Sequence, residues 1–274
     1  VLILLPPSET KRSGGEAVPL DWSTLSYPSL TAQRRALAQA LVKLSRNAKT
    51  AQAALKLGRT QLCEIDRNRL LLTSPTMPVI DRYTGVLYDG LDAASLSESE
   101  RAFAHTHVAV HSALLGPLHA LDHIPAYRMS HDSRIPELAL KKHWGASVAG
   151  VLARTTGLLL DLRSEAYVAL GAAPVRPGSV YVRVVAETVD GRKRALNHFN
   201  KKSKGEFTRA LVQSGENLGS VTELIDWATA QGIRLAVGAP GEIELLAEQQ
   251  LASPGVPAAS SIYTTKERGD RLGG

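Results

Sequence analysis

The chain has 274 residues, 44% of them apolar and 21% charged, which excludes a disordered or fibrous protein and leaves room for one large domain or two small ones. A net charge of +6 favours anionic partners, and a single cysteine, Cys63, excludes an internal disulfide. No apolar run reaches the roughly 18–20 residues of a membrane span and residues 1–5 are too short for a signal-peptide core, so the chain reads as cytoplasmic with no membrane partner.

Residues 1–5 (VLILL) form an apolar run stopped by Pro6 and Pro7, which predicts a buried strand leading into the loop Ser8-Glu9-Thr10-Lys11-Arg12. Residues 13–28, rich in Gly, Ser and Pro, read as a surface loop. Over residues 31–45, Ala36, Leu37, Ala40, Leu41 and Leu44 recur at helical spacing among Arg34, Arg35 and Lys43, an amphipathic helix. A second helix over residues 49–57 is expected to stop at Gly58. Residues 79–91, with Tyr83, Gly85, Tyr88 and Gly90, read as strand or loop with tight turns. Ser97 and Glu100 form a capping box that starts a helix through His107.

Residues 105–131 hold six of the eight histidines. There Val108 and Val110 predict a strand running into Ser112, followed by a break at Gly116-Pro117, a helix start and the polar side chains Asp122, Tyr127 and Arg128. That succession of strand, small hydroxyl residue and helix presents binding loops in open α/β folds. A helix is expected over residues 137–155, and residues 158–162 (LLLDL) repeat the amino-terminal pattern, breaking into Arg163-Ser164-Glu165. Asp190-Gly191 signals a hairpin between strands over 181–189 and 194–199. Helices follow over 201–212 and, after the box Ser220/Glu223, up to Gly232. Residues 233–237 and 242–246 read as a second hairpin. The expectation is a single α/β domain over residues 1–252, with a mixed sheet, surrounding helices and a carboxy-terminal hairpin followed by helices, then a flexible tail over 253–274.

Three apolar runs thus end in a small hydroxyl residue, at Ser8, Ser112 and Ser164. If the strands are parallel, their carboxyl ends share one edge, where open sheets bind ligands. Ser8, Lys11, Ser112, Tyr127, Arg128 and Ser164 then become candidate ligand contacts. Glu165 or Asp122 is a candidate acid/base, with Lys202 or Lys11 as electrophile or nucleophile. The plainer alternative makes each a loop or cap residue. Lys201, Lys202, Lys204 and Arg209 suit phosphate contact, with His198 free to stack on a base, unless the run is simply a solvated face. His107/His111 and His119/His123 have the four-residue spacing of helical metal ligands, but Val108 and Val110 suggest strand and no carboxylate completes a set. No metal and no cofactor are expected.

Several ordered motifs together resemble the YaaA peroxide-stress proteins. They are PPSETK at residues 6–11, YTGVLYDGL at 83–91, HSALLGPLHALDHIPAYRM at 111–129, WG at 144–145, RSEAY at 163–167 and NKKSKGEFTR at 200–209. The resemblance spans about residues 1–244. It implies a cytoplasmic mixed α/β protein built around a basic cleft, binding DNA and limiting oxidative damage under peroxide, with lower free iron. It also implies a helix-hairpin-helix-like element, which maps here to residues 112–121. Enterobacterial members carry glycine at the position of Ala113 and lysine at that of Glu9, the nearby lysine here being Lys11.

Two main readings stand side by side. In the first, the protein grips double-stranded or distorted DNA by its phosphates, through Arg128, Lys201, Lys202, Lys204 and Arg209. In the second, it is an enzyme acting on a nucleotide, nucleoside or damaged base at the strand ends. A third, metal handling by the histidines, is the weakest.

Overall fold

The computed structural model describes residues 1–16, 18–187, 193–195 and 199–247. In chain order, β1 (Leu2–Leu5) is followed by a long loop and then α1 (Thr31–Ser45), α2 (Ala48–Ala54) and α3 (Cys63–Arg69). Next come β2 (Thr76–Pro78), α4 (Val79–Arg82), α5 (Val86–Leu91) and α6 (Glu98–His107), then β3 (Val108–Ser112), β4 (Gly116–His119) and β5 (His123–Pro125). The chain continues through α7 (Leu140–Leu152), β6 (Leu159–Asp161), α8 (Glu165–Val168), β7 (Ser179–Glu187) and β8 (Lys193–Ala195). It closes with α9 (Phe199–Ser214), α10 (Val221–Ala230), β9 (Leu235–Val237) and β10 (Glu242–Ala247).

The main sheet runs β4-β3-β1-β6-β7-β10-β9, with β8 paired to β7. Its five inner strands, β3, β1, β6, β7 and β10, are mutually parallel, while β4 and β9 fold back antiparallel at the two ends of the order. Parallel strands are covered on both faces, which is why β1, β3 and β6 are buried along their whole length and show no polar alternation. The expected shared edge follows directly: the carboxyl ends of β3, β1 and β6 lie side by side. Strands β2 and β5 form a separate antiparallel pair. No helix among the described residues is long and apolar enough to cross a membrane.

Most expected elements form as read, including the boxed start of α6, where Ser97 Oγ accepts the Glu100 amide, and the hairpin β9–β10. Strands β7 and β8 pair as expected, although the turn at Asp190-Gly191 and the tail lie outside the described residues.

Three expectations need correction. Residues 79–91 form two short helices, α4 and α5, because Gly85 breaks one continuous helix at φ +98. The residue that turns the chain after α2 is Lys56, left-handed at φ 55, while Gly58 is extended. The segment expected to hold a helix start and a helix-hairpin-helix-like element is instead the turn and return strand of the β3–β4 hairpin. Arg34 of α1 fixes that turn from inside, donating to the carbonyls of Leu115 and Pro117 at 2.8 Å each.

Helix α9 is locked to α5 by two glycines at a close crossing. A Cβ at Gly205 would stand 2.0 Å from the Leu87 carbonyl oxygen, and one at Gly90 would stand 2.9 Å from that of Lys202. Two of the motifs recognised in the sequence therefore interlock through backbone contact.

Candidate functional site

At the shared edge, Pro6 and Pro7 end β1 and turn the chain across the sheet ends. The loop is held from beneath by Lys11, whose Nζ donates to the carbonyls of Ser8 (2.9 Å) and Glu9 (3.3 Å). The ammonium also sits 4.1 Å from the Tyr127 ring centroid and 5.1 Å from that of Tyr83. Burial, and then the nearby Arg128 charge, lower its pKa from 10.5 to about 7. Lys11 therefore changes charge near neutrality.

Ser112 ends β3. Its Oγ accepts the amides of Leu114 (3.1 Å) and Leu115 (2.9 Å), which occupy both acceptor positions. Its proton is then directed to the Tyr127 hydroxyl at 2.6 Å, and that of Tyr127 to Tyr83 at 2.7 Å. Tyr83, Tyr88, Tyr127 and Tyr167 are all buried, and burial raises the pKa of each, so the four phenols remain neutral.

Arg128 closes the near side. Asn68 of α3 grips its backbone twice, accepting the Arg128 amide and donating to its carbonyl, both at 2.8 Å. The guanidinium meets Glu9 Oε2 at 2.5 Å.

At the end of β6 a different arrangement fills the space. Arg163, fully buried, pairs with Asp161 at 2.5 Å and donates to Gly171 O and His111 Nδ1. That bond places the His111 proton on Nε2, which has no partner among the described residues. Burial, reinforced by Arg163, lowers the His111 pKa and keeps the ring neutral.

The structure gathers Ser8, Lys11, Ser112, Tyr127 and Arg128 into one connected cluster. The other candidates stand apart. Glu165, a candidate acid/base, is 79% exposed and faces Arg183 at 3.7 Å, while Lys202, a candidate electrophile or nucleophile, pairs with Glu206. Ser164 is an exposed cap of α8 with no side-chain cap bond. The Asp122 carboxylate accepts the Ser26 amide and hydroxyl and the His119 amide, and shares no partner with Arg128.

On α9, Lys204 is buried and donates to Leu162 O at 2.8 Å, its pKa lowered by burial to about 8. Arg209 caps α5 through Leu91 O and Asp92 O. Lys201 and Lys202 remain exposed, and His198 lies outside the described residues.

Sequence reasoning placed Glu9 with Ser8 and Lys11 at the first strand end but missed Asn68, Tyr83 and Arg163 as members of this edge. Tyr83 and Arg163 do lie in the quoted motifs, but only the fold shows that residues 8–11, 83 and 127–128 meet.

A family model described as "Peroxide stress protein YaaA" matches residues 1–234. A UPF0246 protein of Corynebacterium glutamicum (strain R) is 40% identical over 238 residues, 85% of this chain and 94% of that protein. A UPF0246 protein of Streptomyces coelicolor is 38% identical over 249 residues, 88% of this chain and 94% of that one. One of Corynebacterium efficiens is 38% identical over 242 residues, 86% and 95% of the two chains. The matched span contains all three strand ends, the tyrosines and Arg128, and the chain belongs to the YaaA peroxide stress protein family.

Proposed function

We propose that the protein serves the peroxide stress response in the cytoplasm by binding DNA through its phosphates, in a basic cleft along the carboxyl edge of β3-β1-β6. The observation that carries this reading is the Lys204–Leu162 bond, which seats the first turns of α9 on the carboxyl end of β6. On this reading the exposed Lys201 and Lys202, in the same first turns of α9, add their charge to that of Arg128. Contacts of this kind neutralise backbone charge and carry little sequence preference.

Fluorescent duplex titrations at several salt concentrations test the reading. Replacing Lys201 and Lys202 with Ala is expected to lower the log–log salt slope by about 0.9 per lost contact while leaving the fold intact. Lys204 is spared because it holds β6. Absence of salt-dependent binding by the wild type, or an unchanged slope in the variant, would overturn it.

The second reading, an enzyme acting on a nucleotide-like small molecule, draws on Lys11. An amine that titrates at about 7 beside an ordered chain of hydroxyls is more than phosphate gripping requires.

A further inference from the structure

We propose that Arg128 and the loop from Ser8 to Lys11 form a phosphomonoester site, and that Glu9 closes it from within as a built-in competitor for the incoming phosphate. The inference deepens the reading that this edge receives nucleic-acid phosphates, and it rests on that reading.

Arg128 is built as a fixed anion receptor. Asn68 immobilises its backbone, and its side chain is only 9% exposed. Yet among the described residues its five N–H donors find one protein acceptor, Glu9 Oε2. Glu9 is 60% exposed and comes from a loop tip. A guanidinium held this firmly and satisfied by so loose a carboxylate suits exchange of that carboxylate for another planar or tetrahedral oxyanion.

The surroundings complete the receptor. Lys11 brings a second cation under the loop. The hydroxyls of Ser8, Thr10 and Thr84 are linked, with Ser8 Oγ to Thr10 Oγ1 at 3.2 Å and Thr84 Oγ1 to Thr10 Oγ1 at 2.9 Å. Gly85 leaves the space beside them open: a Cβ there would touch Ser8 Oγ at 3.5 Å and Thr10 Oγ1 at 3.7 Å.

Charge selects the ligand class. Arg128 faces the one Glu9 carboxylate, and Lys11, with a pKa of about 7, is partly protonated at neutrality beneath the same loop and takes up a proton more readily beside a dianion. An internal phosphodiester brings a single charge and merely replaces Glu9 like for like. A phosphomonoester carries about −1.5 to −2 at neutral pH and gains from both cations. Strand ends and free mononucleotides share this chemistry.

The test compares wild type, Glu9→Gln and Arg128→Lys. The probes are a 5′-phosphorylated oligonucleotide, its 5′-hydroxyl counterpart and a deoxynucleoside monophosphate. Glu9→Gln is expected to bind the phosphorylated oligonucleotide about fivefold more tightly, at the upper end of what a partly exposed ion pair is worth, and the hydroxyl form within about twofold of wild type. Arg128→Lys is expected to lose about tenfold on the phosphorylated form, because the planar fork is lost while the charge is kept. Tightening that extends to the monophosphate assigns a free nucleotide as sufficient ligand; tightening confined to the oligonucleotide assigns a strand end.

Equal effects on both oligonucleotides, or no effect of Glu9→Gln on either, would overturn the inference while DNA binding stands. If neither oligonucleotide binds to any form, the DNA reading fails instead, and the monophosphate decides the inference: affinity raised by Glu9→Gln supports it, and an unchanged or undetectable affinity overturns it.

Discussion

Arg163 and Arg128 lie at the same sheet edge, each paired with a carboxylate at 2.5 Å, and they differ in what closes the pair. Asp161 is itself buried and receives Arg163 through two nitrogens, the remaining donors going to Gly171 and His111. Glu9 stands in solvent and meets one nitrogen of Arg128. The first pair is sealed into the fold and welds β6 to β3 across β1. The second is open on one side, and its carboxylate is replaceable at little cost. Buried cations at this sheet edge thus divide by the exposure of their partners rather than by their own burial. The same division runs through α9, where Lys204 and Arg209 are committed to carbonyls and Lys201 and Lys202 face solvent.

The largest effect that sharpens this contrast is expected at Arg163. Removing it by Arg163→Ala strands the buried Asp161 charge, a change expected to cost about 3–5 kcal/mol. Arg128→Ala leaves Glu9 to water and is expected to cost under about 1.5 kcal/mol. Urea denaturation of the two variants measures the difference. Equal losses would break the distinction between a sealed and an open pair.

A smaller effect is expected from Lys11, whose neighbours include Arg128 and Arg67 as cations, Glu9 and Glu64 as carboxylates, and the two tyrosine rings. Its pKa is about 7 in the folded protein against an ordinary 10.5, so between those values the unfolded chain holds a proton that the folded one lacks. Stability from this group therefore rises with pH across that window, by at most about 1.4 kcal/mol per pH unit. Below the window both states are protonated and the burial penalty is complete; above it the penalty is gone. Lys204 contributes a rise of the same sign from about 8 upward. In Lys11→Met, denaturation midpoints at pH 7, 8 and 9 are expected to show a shallower rise than wild type. An identical slope would remove Lys11 from the titrating groups.

The sheet was legible because hydropathy reports burial on both faces. Residues 1–5, 108–112 and 158–162 read as apolar runs, and their equivalence predicted one edge. The hairpin at β4 was not legible, since its turn is stabilised by Arg34, a residue that helical periodicity alone assigns to a solvent face. Arg82 misleads in the same way, donating from the interior to the carbonyls of Ile124, Arg12, Gly14 and Pro75. A buried arginine that satisfies carbonyls leaves no mark in composition, because its partners are backbone atoms of remote segments. The cluster around Lys11 was half legible for a related reason. Ser8, Ser112, Tyr127 and Arg128 follow from strand ends and polar residues, whereas Asn68 arrives from α3 and Tyr83 from the extended residue after α4, and no local pattern links either to the edge.

The smallest effect is expected at Glu165, and it is informative because the sequence alone makes this residue a candidate acid. Its carboxylate is 79% exposed, and the nearby Arg183 already binds Glu242 at 2.7 and 3.0 Å, so its approach at 3.7 Å adds little. Lys202 has its own partner in Glu206 one helical turn away. Glu165→Gln is therefore expected to change stability by less than about 0.5 kcal/mol, as for surface substitutions generally, and to leave DNA affinity unchanged. A double-mutant cycle with Lys202→Ala is expected to give no coupling, because the two side chains hold different partners. The decisive measurement is survival under peroxide in cells carrying Glu165→Gln as the sole copy. Wild-type survival leaves the function with Arg128, whose pair with Glu9 is open to solvent, and with Lys11, the titrating cation beneath it. Loss of survival by a folded, DNA-binding variant would return Glu165 to the chemistry and move the working site from the loop after β1 to the start of α8.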